Sequence, residues 1–136
     1  MSILLDTNVF LLAAGFAGRL SESAKTLLDD PAQEIFFSSA SAWEIAMKWS
    51  NGRISLPASP MEVVNKIVTT AGLSQLSISV KDACAVADLP RHHADPFDRL
   101  LVAQARTNKL KLMTANPILE RYDVDVIALW LDDDDE

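Results

Sequence analysis

Short apolar runs without polar alternation recur along this chain, at residues 3–5, 35–37, 73–78, 110–113 and 124–129. A strand with one wet face alternates apolar and polar side chains, so unbroken runs point to strands buried on both faces, as in a parallel sheet covered by helices. Helical patterns fill the gaps, over residues 9–14, 21–29, 40–50, 60–70, 80–87, 96–108 and 117–121. Ser21 ahead of Ala24 and Leu27, Ser39 and Ser41 ahead of Trp43, and Ser59 ahead of Pro60 mark helix starts. Strands and helices in alternation, joined by right-handed crossovers, predict a three-layer α/β domain: a small central parallel β-sheet flanked by helices.

Length and composition agree with one domain. The 136 residues are 49% apolar and 23% charged, the balance of an ordinary globular protein. Residues 1–131 are expected to form the domain and residues 132–136 an acidic, solvated tail. Cys84 has no second cysteine to pair with and reads as helix interior, which suits a reducing cytosol. No basic leader opens the sequence and no apolar run approaches the roughly 20 residues that span a bilayer, so a soluble, unprocessed, cytoplasmic protein with no membrane partner is expected. The net charge of −7 disfavours a polyanion at first sight, but the tail holds five of the acids and leaves 14 acids against 12 bases elsewhere. Composition therefore neither supports nor excludes RNA or DNA.

Four carboxylates interrupt apolar segments. Asp6 closes the run Ile3-Leu4-Leu5, Glu44 lies within Ala42-Trp43-Glu44-Ile45-Ala46-Met47, and Asp95 and Asp98 introduce Leu100-Leu101-Val102-Ala103. A buried lone carboxylate needs a cation, a proton or a helix terminus. Asp6 reads either as a helix cap or, with Asn8 capping instead, as a free group at the sheet edge. Glu44 has Lys48 four residues on, in the favoured order for an ion pair. The apolar neighbours make that pair a narrow charged stripe on a mostly buried helix, and Lys48 is expected to tune Glu44 or meet a phosphate. Asp95-Pro96-Phe97-Asp98 carries a helix-start signature. Asp98 shares a stripe with Val102 and Ala105 that would turn it toward the strand ends. Arg99 is expected to serve one of these acids or a substrate phosphate.

If the first and fourth strands are neighbours, Asp6 and Asn116 face one crevice at their carboxyl ends. His92 and His93 cannot both point the same way, and no further His and one distant Cys are present, which argues against zinc. Oxygen donors are hard ligands and fit Mg²⁺ or Mn²⁺. Such a site suits phosphodiester hydrolysis, whereas a Gly-x-Ser-x-Gly elbow and a phosphate-cradling glycine loop are missing.

The segments Leu4-Leu5-Asp6-Thr7-Asn8, residues 38–48, His93-Ala94-Asp95-Pro96-Phe97-Asp98-Arg99 with its following helix, and Leu112-Met113-Thr114-Ala115-Asn116 resemble the PIN-domain nucleases. Within these the likeness is to VapC-type toxins of bacterial toxin–antitoxin pairs. The resemblance implies a PIN-like fold and an endoribonuclease dependent on Mg²⁺ or Mn²⁺, acting on RNA. It also implies a homodimer and a cognate antitoxin that occludes the site. By position, Asp6, Glu44 and Asp98 match the acidic triad of catalytic metal ligands. Asp95 matches an extra acid, and Thr114, Lys48 and Arg99 are further candidates. Asn116 stands where the family often has Asp and contributes no negative charge, which questions a second metal. Two rivals remain: an Asp-nucleophile phosphatase, opposed by Asn8 where such folds carry a second Asp, and a PIN-like module that binds RNA or protein without cleaving.

Overall fold

The computed structural model describes residues 1–16, 18 and 20–128. Its strands are β1 (Ser2–Leu5), β2 (Glu34–Ser38), β3 (Ser74–Leu76), β4 (Lys111–Thr114) and β5 (Val126–Ala128). They form one sheet in the order β3-β2-β1-β4-β5, every described pairing parallel. The three-layer α/β expectation holds. Helices α1 (Thr7–Ala13), α2 (Glu22–Asp29), α3 (Ser39–Ser50), α4 (Pro60–Ala71), α5 (Val80–Ala85) and α6 (Pro96–Thr107) cover the sheet, with 3₁₀ turns at Val86–Asp88 and Pro117–Arg121.

Strand periodicity sends alternate side chains to opposite layers. Ile3, Leu5 and Met113 join Val9, Phe10, Phe37 and Ile45 in one core. Leu4 and Leu112 join Leu101, Val102, Leu119 and Tyr122 in the other. Both faces of the sheet centre are thus apolar, which is why the central strands read as apolar runs, whereas the edge strand β3 is only partly buried.

Two elements are shorter than their sequence patterns. β3 pairs with β2 only from Ser74 to Leu76, and the Ile78 N–H turns instead to the Ser39 hydroxyl at 3.2 Å. β5 begins after a tight turn in which the Val124 N–H meets the Tyr122 carbonyl at 2.9 Å. Leu129, expected in that strand, and the acidic tail at 132–136 lie outside the described residues.

Strand-to-helix passages are abrupt. Asp6 alone separates β1 from α1, and Ser38 both ends β2 and caps α3. Polar cap residues are therefore forced to the carboxyl edge of the sheet, because the first amides of each helix need acceptors there.

α5 corrects the reading of Cys84, whose thiol is exposed instead of interior. The residue α5 buries is Asp82, which forms a capping box with Ser79 and receives Gln104 at 3.3 Å and Asn108 at 3.2 Å. Gln104, fully enclosed, also accepts from the Ser38 hydroxyl, so one polar chain joins β2, α6 and α5. Such a network is stable only when its members are satisfied together.

Candidate active site

Asp6 is 2% exposed at the end of the central strand β1, beside β4. Its Oδ1 accepts the Val9 N–H at 2.7 Å, so Asp6 itself is the α1 cap and Asn8 is not. Capping does not separate it from the other acids. Burial pushes its pKa up to about 6; the Thr114 hydroxyl and the Val9 amide oppose that rise, and the charges of Asp98 and Glu44 add to it. Asp6 thus senses both other members of the expected triad.

α3 is expected to be mostly buried, and it is less enclosed than that. Glu44 is 5% exposed and Ile45 1%, while Trp43, Met47 and Trp49 stand in solvent, so the acid lies inside and both tryptophans outside. A buried hydrogen bond from the Thr7 hydroxyl to Ser41 Oγ, 2.9 Å, ties α3 to α1 in this rotation. Lys48 Nζ pairs with Glu44 Oε2 at 2.7 Å from a side chain 35% exposed. Glu44 Oε1 is buried and has no hydrogen-bond partner. An orphaned carboxylate oxygen carries a penalty of a few kcal/mol unless a cation arrives.

Asp95 caps α6, with Oδ1 accepting from Phe97 at 2.8 Å and more weakly from Asp98 at 3.4 Å. Asp98, one turn into the helix and partly buried, shares its stripe with the buried Val102 and Ala105. Burial raises its pKa, Asp95 and Glu44 raise it further, and the His93 hydrogen bond opposes them. His93 Nε2 lies 2.9 Å from Asp98 Oδ2. The two histidines do diverge: His92 instead meets the Tyr122 ring edge-on at 5.0 Å. Among the described residues, His93, Asp95 and Asp98 bring ligand atoms within 4.8 Å of one another, and Asp6 and Glu44 do not belong to that tight group.

Arg99 is engaged elsewhere than expected. Its guanidinium donates to the carbonyls of Pro90 at 2.9 Å and Val86 at 3.2 Å, and to Tyr122 Oη at 3.4 Å. Tyr122 Oη in turn accepts the His93 N–H at 3.0 Å. Arg99 therefore holds the loop before α6, and through Tyr122 the backbone of the residue that meets Asp98. The five donors of a guanidinium suit such carbonyl clamping.

Asn116 follows β4 as expected, but its Oδ1 accepts from the Ile118 N–H at 3.1 Å and caps the 3₁₀ turn. Thr114, fully buried, is divided between Asp6 and the Asn116 N–H at 3.0 Å. Sequence reading missed His93 and Tyr122 as supports of Asp98 and Asp82 as a buried acid. His93 lies in an irregular loop, where no periodicity predicts a side chain's direction.

The PIN domain family profile matches residues 3–125. This chain belongs to the PIN domain family. No curated protein matches it in sequence. Among solved structures, a VapBC2 from Rickettsia felis bound to a DNA fragment from its promoter is similar at TM-score 0.69, 17% identity, over 94% of this chain and 98% of that one. DNA-bound VapBC from Salmonella typhimurium gives 0.66, 18%, 95% and 98%. FitAcB from Neisseria gonorrhoeae gives 0.64, 19%, 94% and 98%. In this PIN domain the donor set is oxygen-rich and crowded with like charge, and Glu44 Oε1 lacks a partner. A hard divalent cation fits such a set.

Proposed function

We propose that this PIN domain is the toxin of a toxin–antitoxin pair, a VapC-type endoribonuclease that hydrolyses RNA phosphodiesters with Mg²⁺ or Mn²⁺. The observation that supports the reading is the charge of Asp98 and Glu44 bearing on the buried Asp6 at the carboxyl end of β1, together with the unpartnered Glu44 Oε1. Asp6 and Asp98 are the principal metal ligands, Glu44 the third, and Asp95 an auxiliary. When bound, the ion would supply Lewis acidity toward a phosphoryl oxygen and acidify a water. Thr114 orients the Asp6 carboxylate, and His93 orients that of Asp98. Lys48 holds one oxygen of Glu44 and leaves the other for the ion.

Partners follow from the same reading. Two solved structures of similar fold, from Klebsiella pneumoniae and Mycobacterium tuberculosis, are described as toxin–antitoxin systems, which supports a cognate antitoxin here. A homodimer in the cytoplasm completes the proposal. Among the described residues no helix is long and apolar enough to cross a membrane.

Cleavage of RNA by the purified protein in Mg²⁺ or Mn²⁺, and its absence in EDTA, is the deciding assay. Asp6→Asn and Asp98→Asn are each expected to lower the rate at least ~100-fold while circular dichroism stays native, because a carboxylate ligand is replaced by a weaker amide. Undiminished metal-dependent cleavage by folded Asp6→Asn protein would overturn the assignment. The capped Asn116 favours a second reading, a PIN module that holds RNA without cutting it. That reading predicts retained RNA and no products in either metal.

A further inference from the structure

Both helix-borne carboxylates directly follow an aromatic residue: Trp43-Glu44 in α3 and Phe97-Asp98 in α6. Consecutive helical residues diverge by about 100°, so with Glu44 turned inward Trp43 comes to the rim of the site. Phe97 stands beside it, and the two rings meet edge to face at 4.9 Å and 71°. Even so, Trp43 remains 56% exposed, and Met47, one turn further along α3, is also in solvent. Tryptophan is usually well buried, and an aromatic surface left in water forfeits its hydrophobic gain until a ligand covers it. The same rim carries a cation, since Lys48 follows Met47 and keeps a third of its side chain exposed.

We propose that Trp43, braced by Phe97, is a stacking platform for one unpaired nucleobase of a single-stranded RNA whose phosphodiester lies at Asp6, Glu44 and Asp98. The inference rests on the nuclease reading and adds to it the residue that holds a base beside the acids. A base within a duplex has both faces covered, whereas an unpaired base can lay one face on an indole. Every base has a π face, so the platform selects single strands with little regard to sequence. A polyanion with flat apolar bases matches an aromatic rim flanked by Lys48 better than a purely apolar protein segment does.

The test compares Trp43→Ala and Trp43→Phe with the parent protein, using a single-stranded RNA oligomer and versions of it with one abasic position each. Trp43→Ala should raise KM about 5- to 150-fold, the loss of one stacked base, with kcat held, because uniform binding is removed. Trp43→Phe should retain most of the affinity. The penalty should vanish on the oligomer lacking the stacked base, and Mn²⁺ affinity by calorimetry should be the same in all three proteins. An unchanged KM for Trp43→Ala, or an equal penalty on every abasic oligomer, overturns the platform. So does a Trp43→Ala protein that cuts RNA normally but loses self-association in sedimentation, which would make this face a protein interface. If the parent protein cuts no RNA in either metal, the nuclease reading fails first; if it cuts and only the Trp43 effects are absent, the platform alone fails.

Discussion

Asp6 combines two demands in one side chain. Its Oδ1 closes the first turn of α1, and the same carboxylate sits buried against Asp98 and Glu44 with a pKa near 6. A raised acid pKa means that the folded chain keeps a proton which the unfolded chain releases above pH 3.8. The contribution of Asp6 to stability is then greatest at low pH and falls as pH rises from 3.8 to about 6, by up to about 3 kcal/mol. Asp6→Asn retains a good cap residue and abolishes the charge. In EDTA at pH 7.5 this variant should therefore melt at a higher temperature than the parent, and its pH–stability curve should be flatter between pH 4 and 6. A melting temperature equal to or below the parent's would show that the Asp6 charge carries no penalty. Glu44 carries the same lesson in another form, since Lys48 satisfies one of its oxygens and leaves the other without a partner.

Helices α3 and α6 deliver the acids, and each is rotated by contacts remote in sequence. α3 is fixed by Thr7 on Ser41 and by Ser38 on Gln104, so its carboxylate is enclosed while Trp43, Met47 and Trp49 face outward. The apolar neighbours of Glu44 suggested a helix buried over most of its surface. α6 is fixed at its start by Asp95 and Pro96, and the loop before it by Arg99. Arg99→Lys keeps the charge but cannot span the carbonyls of Val86 and Pro90 together with Tyr122 Oη. It should destabilise the fold by about 1–3 kcal/mol in denaturant melts, and amide exchange should accelerate between residues 86 and 93. Unaltered exchange in that loop would show that the clamp is dispensable.

Across the whole molecule, two apolar layers press on a sheet whose carboxyl edge gathers like charge. The stability spent there is recoverable by a ligand that binds only the folded chain. With Mn²⁺ at a hundred times its dissociation constant, the gain is about 2.7 kcal/mol, or roughly 10 °C for a domain of this size. Thermal melts of the parent protein should show that shift, and Asp6→Asn and Asp98→Asn should show little of it. An equal shift in all three would place the ion elsewhere.

Periodicity was enough to read the strands, most of the helices and the parallel α/β class, because burial on both faces of the central strands leaves little polar alternation. Strand ends and cap positions likewise drew attention to Asp6, Asp95 and Asp98, since short strand-to-helix passages demand acceptors. Directions of side chains were not legible. Arg99 is expected on an acid or a substrate phosphate and sits on carbonyls; Cys84 is expected inside and is exposed; His93 has no expected role and meets Asp98.

The sequence by itself determined which elements form and which of their ends carry carboxylates, because propensity, capping and periodicity act within a few residues. Only the tertiary structure decided that Glu44 faces inward with Trp43 outside it, and that Thr114 turns to Asp6 while His93 turns to Asp98. Those choices depend on helix rotation and strand order, which are set by contacts between residues dozens of positions apart.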